Sequence, residues 1–245
     1  MKSVLIIGAT SSIAENCARL WAVSGYKMHL VARNNERVRI IAADLMVRGA
    51  SQVTTYFADV NDISRHNILL DAADKAMSGV DIVLIAHGTL TNQKSCEQSV
   101  DETLAEIQTN ALSTISLLTL IANRFEAKRA GKICVISSVA GDRGRASNYI
   151  YGSAKAMITT YTSGLRQRLH SSNVAVITIK PGFVDTPMTA NFKKGVLWAK
   201  PKVVALQIIK SIDSSKSEVY VPFFWRIVMM IIKSIPSRLF NKIDL

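Results

Sequence analysis

Ser3-Val4-Leu5-Ile6-Ile7-Gly8-Ala9-Thr10-Ser11-Ser12-Ile13-Ala14, running on through Glu15 to Val23, decides how this chain folds. The unbroken apolar run Val4 to Ile7 predicts a strand buried on both faces, since a half-exposed strand would alternate apolar with polar residues. Gly8 permits a tight turn, and Ser12 to Val23 carries the apolar spacing of a helix. A strand, a small-residue turn and a helix in this order aim backbone N–H groups and the positive end of the helix at a phosphate. Of the three glycines usual in such a turn only Gly8 is present. Ala14 is an accepted substitute at the last position, whereas Ser12 puts a side chain where the backbone must come close.

The same alternation continues outward. SVLIIGA, YKMHLVA, VTTYFAD, VDIVLIAHG, GKICVISS, NVAVITIKPG and EVYVP read as seven strands. The intervals read as helices over Ser12–Val23, Glu36–Arg48, Ile63–Ala76, Val100–Arg124, Tyr149–His170 and Pro201–Ile212. Strands that are apolar on both faces and separated by helices call for right-handed crossovers and a parallel sheet covered on both sides. There is no linker rich in Gly, Ser or Pro and no repeat. The expectation is one doubly wound α/β domain over residues 1–222, with ligands outside the carboxyl ends of the strands, and an amphipathic helical tail over 223–245.

Composition sets the outer limits. With 245 residues, 49% apolar and 20% charged, the chain is that of a packed globular protein rather than a disordered one. Cys17, Cys96 and Cys134 are widely spaced and odd in number, which suggests neither disulfides nor a zinc site; no metal is expected and a reducing, cytoplasmic setting fits. The apolar run at the amino end is too short for a secretory signal, and no uncharged stretch suffices to span a bilayer. The net charge is +12, from 30 Lys+Arg against 18 Asp+Glu. Ten basic and three acidic residues fall between Lys193 and Leu245. This surplus accompanies an apolar tail rather than aromatic stacking platforms, so nucleic acid is not expected as a partner.

Further post-strand segments carry candidate chemistry. Ala32-Arg33 ends the second strand where a carboxylate would normally hold the ribose hydroxyls of NAD(H), and a guanidinium there suits a 2′-phosphate; NADP(H) is therefore preferred, with NAD(H) admissible. Asp59 after the third strand can accept from an adenine amino group or cap the helix that begins near Asp62. Tyr151 and Lys155 are four apart on a helix and so share one face. Such a pair arises often by chance, but Ser138 ends the fifth strand 13 residues upstream, Asn110 sits in the preceding long helix, and Pro181-Gly182-Phe183-Val184-Asp185-Thr186 follows the sixth strand. An ammonium beside Tyr151 is expected to lower the phenol pKa, which is ordinarily about 10.

The turn at Gly8, Asn110, Ser138, Tyr151, Lys155 and PGFVDT in this order resemble the short-chain dehydrogenases/reductases, from Ser3 to about Pro222. The resemblance implies a Rossmann-type domain and hydride transfer between a nicotinamide and a carbonyl or alcohol. It implies a catalytic set of Asn110, Ser138, Tyr151 and Lys155, with Asn110 supporting a proton-relay water and Ser138 aligning the carbonyl oxygen. It implies cofactor contacts at Gly8, Thr10, Ser11, Ser12, Ile13, Arg33, Asp59, Val60, Ala86, Gly88, Pro181, Gly182, Val184 and Thr186, and from Tyr151 and Lys155. One departure is Ile85-Ala86-His87-Gly88, where the family usually has Asn-Asn-Ala-Gly; His87 is read either as a contact to phosphate or substrate or as an ordinary loop residue.

The remaining features concern the substrate. Arg143 and Arg145, close after Ser138, and Lys193 and Trp198, after PGFVDT, are candidate substrate residues, the cations for a phosphate. In the tail, Phe223–Ile235 reads as a helix with Arg226 and Lys233 on one stripe and apolar residues over the rest, followed by a short helix after Pro236. Such a face can lie on an anionic membrane, here the inner surface, or pack on the protein's own core or a twofold mate in a homo-oligomer. The runs 137–155 and 223–243 are similar to one subgroup, the reductase subunits of decaprenylphosphoryl-ribose 2′-epimerase. That likeness implies a ketone on a lipid-linked or phosphorylated sugar and a flavin oxidase as partner. A reductase of long-chain keto-lipids and a non-catalytic cofactor-sensing scaffold are the alternatives.

Overall fold

Seven strands run parallel in the order β3-β2-β1-β4-β5-β6-β7 in the computed structural model, which describes residues 1–243. They are β1 (Ser3–Ile7), β2 (Lys27–Ala32), β3 (Gln52–Phe57), β4 (Ile82–Ile85), β5 (Gly131–Ile136), β6 (Val174–Pro181) and β7 (Glu218–Val221). From β1 the chain winds outward to β3, then returns to place β4 on the other side of β1, with Val4 opposite both Met28 and Ile82. The direction of winding therefore reverses at the carboxyl ends of β1 and β4, which is where a crevice opens in such sheets.

Strand periodicity divides the core in two. Val4 and Ile6 join one apolar cluster with α1 (Ser12–Val23), α2 (Asn35–Val47) and α8 (Pro201–Asp213). Leu5 and Ile7 join another with α3 (His66–Met77), α6 (Ser113–Lys128) and α7 (Tyr149–Leu169). Each fully buried Leu or Ile contributes roughly 1.5–3 kcal/mol, so β1, buried along its whole length, anchors both layers.

The helix expected over Val100–Arg124 is interrupted. α4 (Gln93–Gln98), which the sequence pattern did not indicate, and α5 (Val100–Ile107) precede a π-helical turn at Gln108–Leu112, and α6 then runs to Lys128. The run from Val100 to Lys128 is long and apolar enough to cross a membrane by composition. Its residues Leu117, Leu118, Ile121, Ala122 and Phe125 are instead part of the second core cluster.

After β7 the chain forms α9 (Phe224–Ser234) and α10 (Ser237–Phe240), close to the expected tail helices; Asp244 and Leu245, the end of the expected tail, lie outside the described residues. Trp225 and Met229 of α9 are buried with Val139, and Tyr220, Val228 and Ile232 pack around them.

Candidate active site

A cleft of about 1070 Å³ opens at the reversal point between β1 and β4. One end is the turn after β1. Gly8 has φ +84°, and a Cβ there would come within 2.5 Å of the His87 amide nitrogen, so only glycine lets the two post-strand loops meet. Ser11 precedes α1 without a side-chain cap, leaving the first-turn N–H groups of α1 to an external acceptor. Thr10, Ser11, Ser12 and Ile13 line the same end. These are the features a pyrophosphate needs, and Ser12 does not close the turn.

Beyond this turn the cleft is walled by Arg33 and by Arg37, a residue the sequence reading missed. Arg37 lies in the first turn of α2, and among the described residues its one ion-pair contact is with the Glu15 carboxylate at 3.9 Å. Among the described residues no Asp or Glu lines the cleft, whereas Arg33, Arg37, Arg145 and Lys155 do. Asp59, expected against adenine, is exposed and outside the cleft wall. Its carboxylate accepts from the Asn61 N–H at 2.9 Å, which folds its own turn. Val60, Ala86 and Gly88 are cleft residues, as are Pro181, Gly182, Val184 and Thr186 after β6.

Ser138, Tyr151 and Lys155 meet in the middle of the cleft. The meeting depends on close backbone contact: a Cβ on Gly141 would lie 2.7 Å from the Ala156 nitrogen, and one on Gly152 2.8 Å from the Ala140 oxygen. The short turn Val139–Asp142 thus lies directly on α7. Ser137 adds a hydroxyl bond to the Lys155 carbonyl at 3.0 Å. Ser138 faces the Tyr151 phenol and favours its ionised form, while the Lys155 ammonium sits 5.5 Å from the Tyr151 ring centre and donates to the Ile136 carbonyl at 3.3 Å.

The charge states reverse one expectation. Burial pushes the Tyr151 phenol up to about 12, against a smaller lowering by its Ser138 hydrogen bond, and pushes the Lys155 ammonium down to about 8. The lysine was expected to lower the phenol pKa; removal from water dominates instead, and the lowering contribution comes from Ser138. Tyr151 therefore holds its proton at neutral pH.

Asn110 occupies the π-helical turn rather than an uninterrupted helix, and its side chain does not reach the cleft wall. Its amide donates to Thr89 at 3.0 Å and Glu106 at 2.9 Å, and its oxygen accepts from the Thr89 N–H at 3.0 Å. Glu106, which the sequence reading missed, also takes hydroxyls from Thr89 and Thr91, so Asn110 and Glu106 together hold the loop after β4.

The substrate candidates separate. His87 is in the cleft wall, but its Nε2 faces the Ser113 and Thr114 hydroxyls at 2.9 and 3.1 Å. Burial, with a smaller contribution from Lys155, lowers its pKa to about 3, so it has no positive charge to give a phosphate. Arg143 is turned away from the cleft. Its Nη1 donates to the carbonyls of Ile232, Lys233 and Ile235 at 2.5, 3.3 and 2.7 Å, and its guanidinium lies 3.7 Å above the Phe240 ring. It caps α9, because the last carbonyls of a helix need donors and a cation suits that end. Lys193 is exposed and Trp198 stacks on Phe183 at 5.3 Å; neither lines the cleft, whereas Phe192 does.

Arg145 remains in the wall, with its Nε buried and without a hydrogen-bond partner among the described residues. The nearby Asp142 is taken: its carboxylate binds Lys180 at 2.7 Å and the Tyr220 hydroxyl at 2.6 Å, and Lys180 also pairs with Glu218 at 2.8 Å. Burial lowers the Arg145 pKa, although Asp142 acts in the other direction.

Residues 2–196 match the family model described as short chain dehydrogenase. The chain is 31% identical over 239 residues to an uncharacterized oxidoreductase of Mycobacterium tuberculosis, covering 98% of this chain and 96% of that one. It is 30% identical over 243 residues to an uncharacterized oxidoreductase of Streptomyces coelicolor, covering 99% and 96% respectively. Among solved structures, levodione reductase superposes with a TM-score of 0.82 at 19% identity, covering 91% of this chain and 97% of that one, a likeness of fold.

Proposed function

This chain belongs to the short-chain dehydrogenase family, whose members are oxidoreductases that bind NAD(P), and from that premise we propose that it reduces a ketone to an alcohol with NADPH. The observation that carries the proposal is a half-buried, protonated Tyr151 that meets Ser138 and Lys155 in the cleft. Bound NADPH supplies the hydride to the carbonyl carbon. Ser138 holds the carbonyl oxygen, and Tyr151 gives it a proton as negative charge develops there. Tyr151 keeps its proton at neutral pH and so has one to give the developing alkoxide. Lys155, in the cleft wall, would stabilise the phenolate left behind and hold the nicotinamide ribose; Asn110, with Glu106, keeps the loop after β4 in place.

Arg33 and Arg37 would take the 2′-phosphate through charge-assisted bonds, which supports NADP(H) over NAD(H). Arg145, charged, partly buried and without an acid partner in the wall, supports a substrate bearing an oxyanion and favours a phosphorylated keto-sugar over a neutral long-chain ketone. The likeness of residues 137–155 and 223–243 to the reductase subunits of decaprenylphosphoryl-ribose 2′-epimerase supports the narrower reading of a 2-keto-pentose on a polyprenyl phosphate, supplied by a flavin oxidase.

The test is Tyr151→Phe. Loss of the proton donor should lower the rate of NADPH oxidation with ketone by a factor of roughly 100 to 10,000 while NADPH still binds. Full turnover by this variant would refute the assignment.

A further inference from the structure

We infer that α9 and α10 form a surface that rests in the headgroup layer of an anionic bilayer, with the mouth of the cleft beside it. The inference rests on the reading of the substrate as an amphiphilic ketone.

At about 100° per residue, α9 divides into three arcs. Trp225, Val228, Met229 and Ile232 turn inward onto Val139 and Tyr220. Arg226 and Lys233 come next, both exposed. The outward arc holds Phe224, Ile227, Met230 and Ile231, the last three 51%, 62% and 58% exposed. A helix that covers only its own core is polar on its outer side. This one is apolar there, and the patch continues through Phe223, Leu239 and Ile243, all exposed.

Charge decides the occupant. Residues 223–243 contain Arg226, Lys233, Arg238 and Lys242 and no acidic residue. All four are exposed, and among the described residues none has a carboxylate partner, whereas Arg19, Arg124 and Lys128 elsewhere are paired. Packing two copies through this face would set these cations against their own counterparts. A layer of anionic headgroups over acyl chains answers both the cations and the apolar arc. The patch also adjoins the cleft: Trp225 meets Phe183 edge-on at 5.3 Å, and Phe183 lines the cleft and stacks on Trp198. A ketone carried on a lipid would thus reach Tyr151 from the bilayer side.

Flotation of the full chain with vesicles tests this. Binding is expected to phosphatidylcholine vesicles containing phosphatidylglycerol and not to phosphatidylcholine alone, and added salt should weaken it. Each cation at such a surface is worth about fivefold, so Arg226→Gln with Lys233→Gln should weaken binding about 25-fold. Replacing Ile227, Met230 and Ile231 together by Gln should weaken it on the order of 100-fold, and reduction of a water-soluble ketone should be unchanged, since these side chains face solvent. Absence of flotation, equal flotation on neutral vesicles, or a dimer in sedimentation that the triple variant dissociates would each overturn the inference. Tyr151→Phe should float like the parent chain, so failure of binding and failure of the ketone-reductase reading are separately visible.

Discussion

Replacing Lys155 by Met should stabilise the fold at neutral pH while removing activity. In the native state burial lowers the lysine pKa from 10.5 to about 8. The folded protein thus binds this proton more weakly than the unfolded chain, and at neutral pH the charged side chain costs the fold about 3 kcal/mol. The sign follows: below about pH 8 the cost is fully present, and it disappears as pH rises from about 8 to 10.5. Tyr151 acts oppositely and higher, its raised pKa removing stability only between about 10 and 12. Met removes the buried charge and forfeits the 3.3 Å bond to the Ile136 carbonyl, worth about 1 kcal/mol. The variant should therefore be about 2 kcal/mol more stable near pH 7, or roughly 4–8 °C in Tm for a chain of this size. The wild type should gain stability from pH 7.5 to about 9.5 while the variant stays flat. Urea unfolding of the cofactor-free protein at both pH values reads this directly. A variant less stable than wild type near pH 7, or a wild type whose stability does not rise over that interval, would refute the reasoning.

Three further outcomes follow from the same geometry. With Lys155 losing its proton near 8, kcat/KM for ketone reduction should fall above about pH 8; a profile flat to about pH 9.5 would count against a working ammonium there. Arg33→Ala with Arg37→Ala should lower the preference for NADPH over NADH by roughly 100-fold, about tenfold for each partly exposed guanidinium; an unchanged ratio of kcat/KM values would remove both from the 2′-phosphate site. Arg143→Ala removes three bonds to helix-end carbonyls and the contact with Phe240, about 2 kcal/mol of local stability, so amide exchange over residues 226–240 should quicken about 30-fold; unaltered exchange would show that the cap does not hold the tail.

What the sequence makes legible here depends on how local the cause is. The parallel sheet is readable because each strand announces itself within four to eight residues, and Tyr151 with Lys155 because one helix fixes their spacing. Arg143 is not readable in this way. Its partners are main-chain carbonyls 89 to 92 residues downstream, which any residue type supplies, so only its proximity to Ser138 suggested a role, and a misleading one. Glu106 looks like a surface residue of an amphipathic helix; the π-helical turn that brings Asn110 to it leaves no mark in composition. Arg37 is missed because its place at the cleft depends on how α2 leaves β2. The direction of the Tyr151 shift was wrong in the sequence reading for a similar reason: spacing reveals the neighbouring ammonium, but burial, which dominates, belongs to the whole fold.

The segment from Ser138 to Asn148 joins the chemistry to the tail. Ser138 lies beside the Tyr151 phenol in the cleft. Four residues on, Asp142 ties the segment to β6 and β7 through Lys180 and Tyr220, with the Asp142 and Lys180 side chains almost wholly buried. Breaking such a pair by removing one partner leaves a buried charge and costs several kcal/mol, so the anchor is stiff. The next residue, Arg143, holds the end of α9, and Arg145 then returns to the cleft wall. On the other side of the cleft Trp225 of α9 rests against Gly182, where even a methyl group would strike the indole. Any force on α9, including that of a lipid surface, is therefore delivered to both walls of the cleft through Arg143 and Trp225. Removing α9 should therefore disturb both cleft walls and change the KM for a water-soluble ketone.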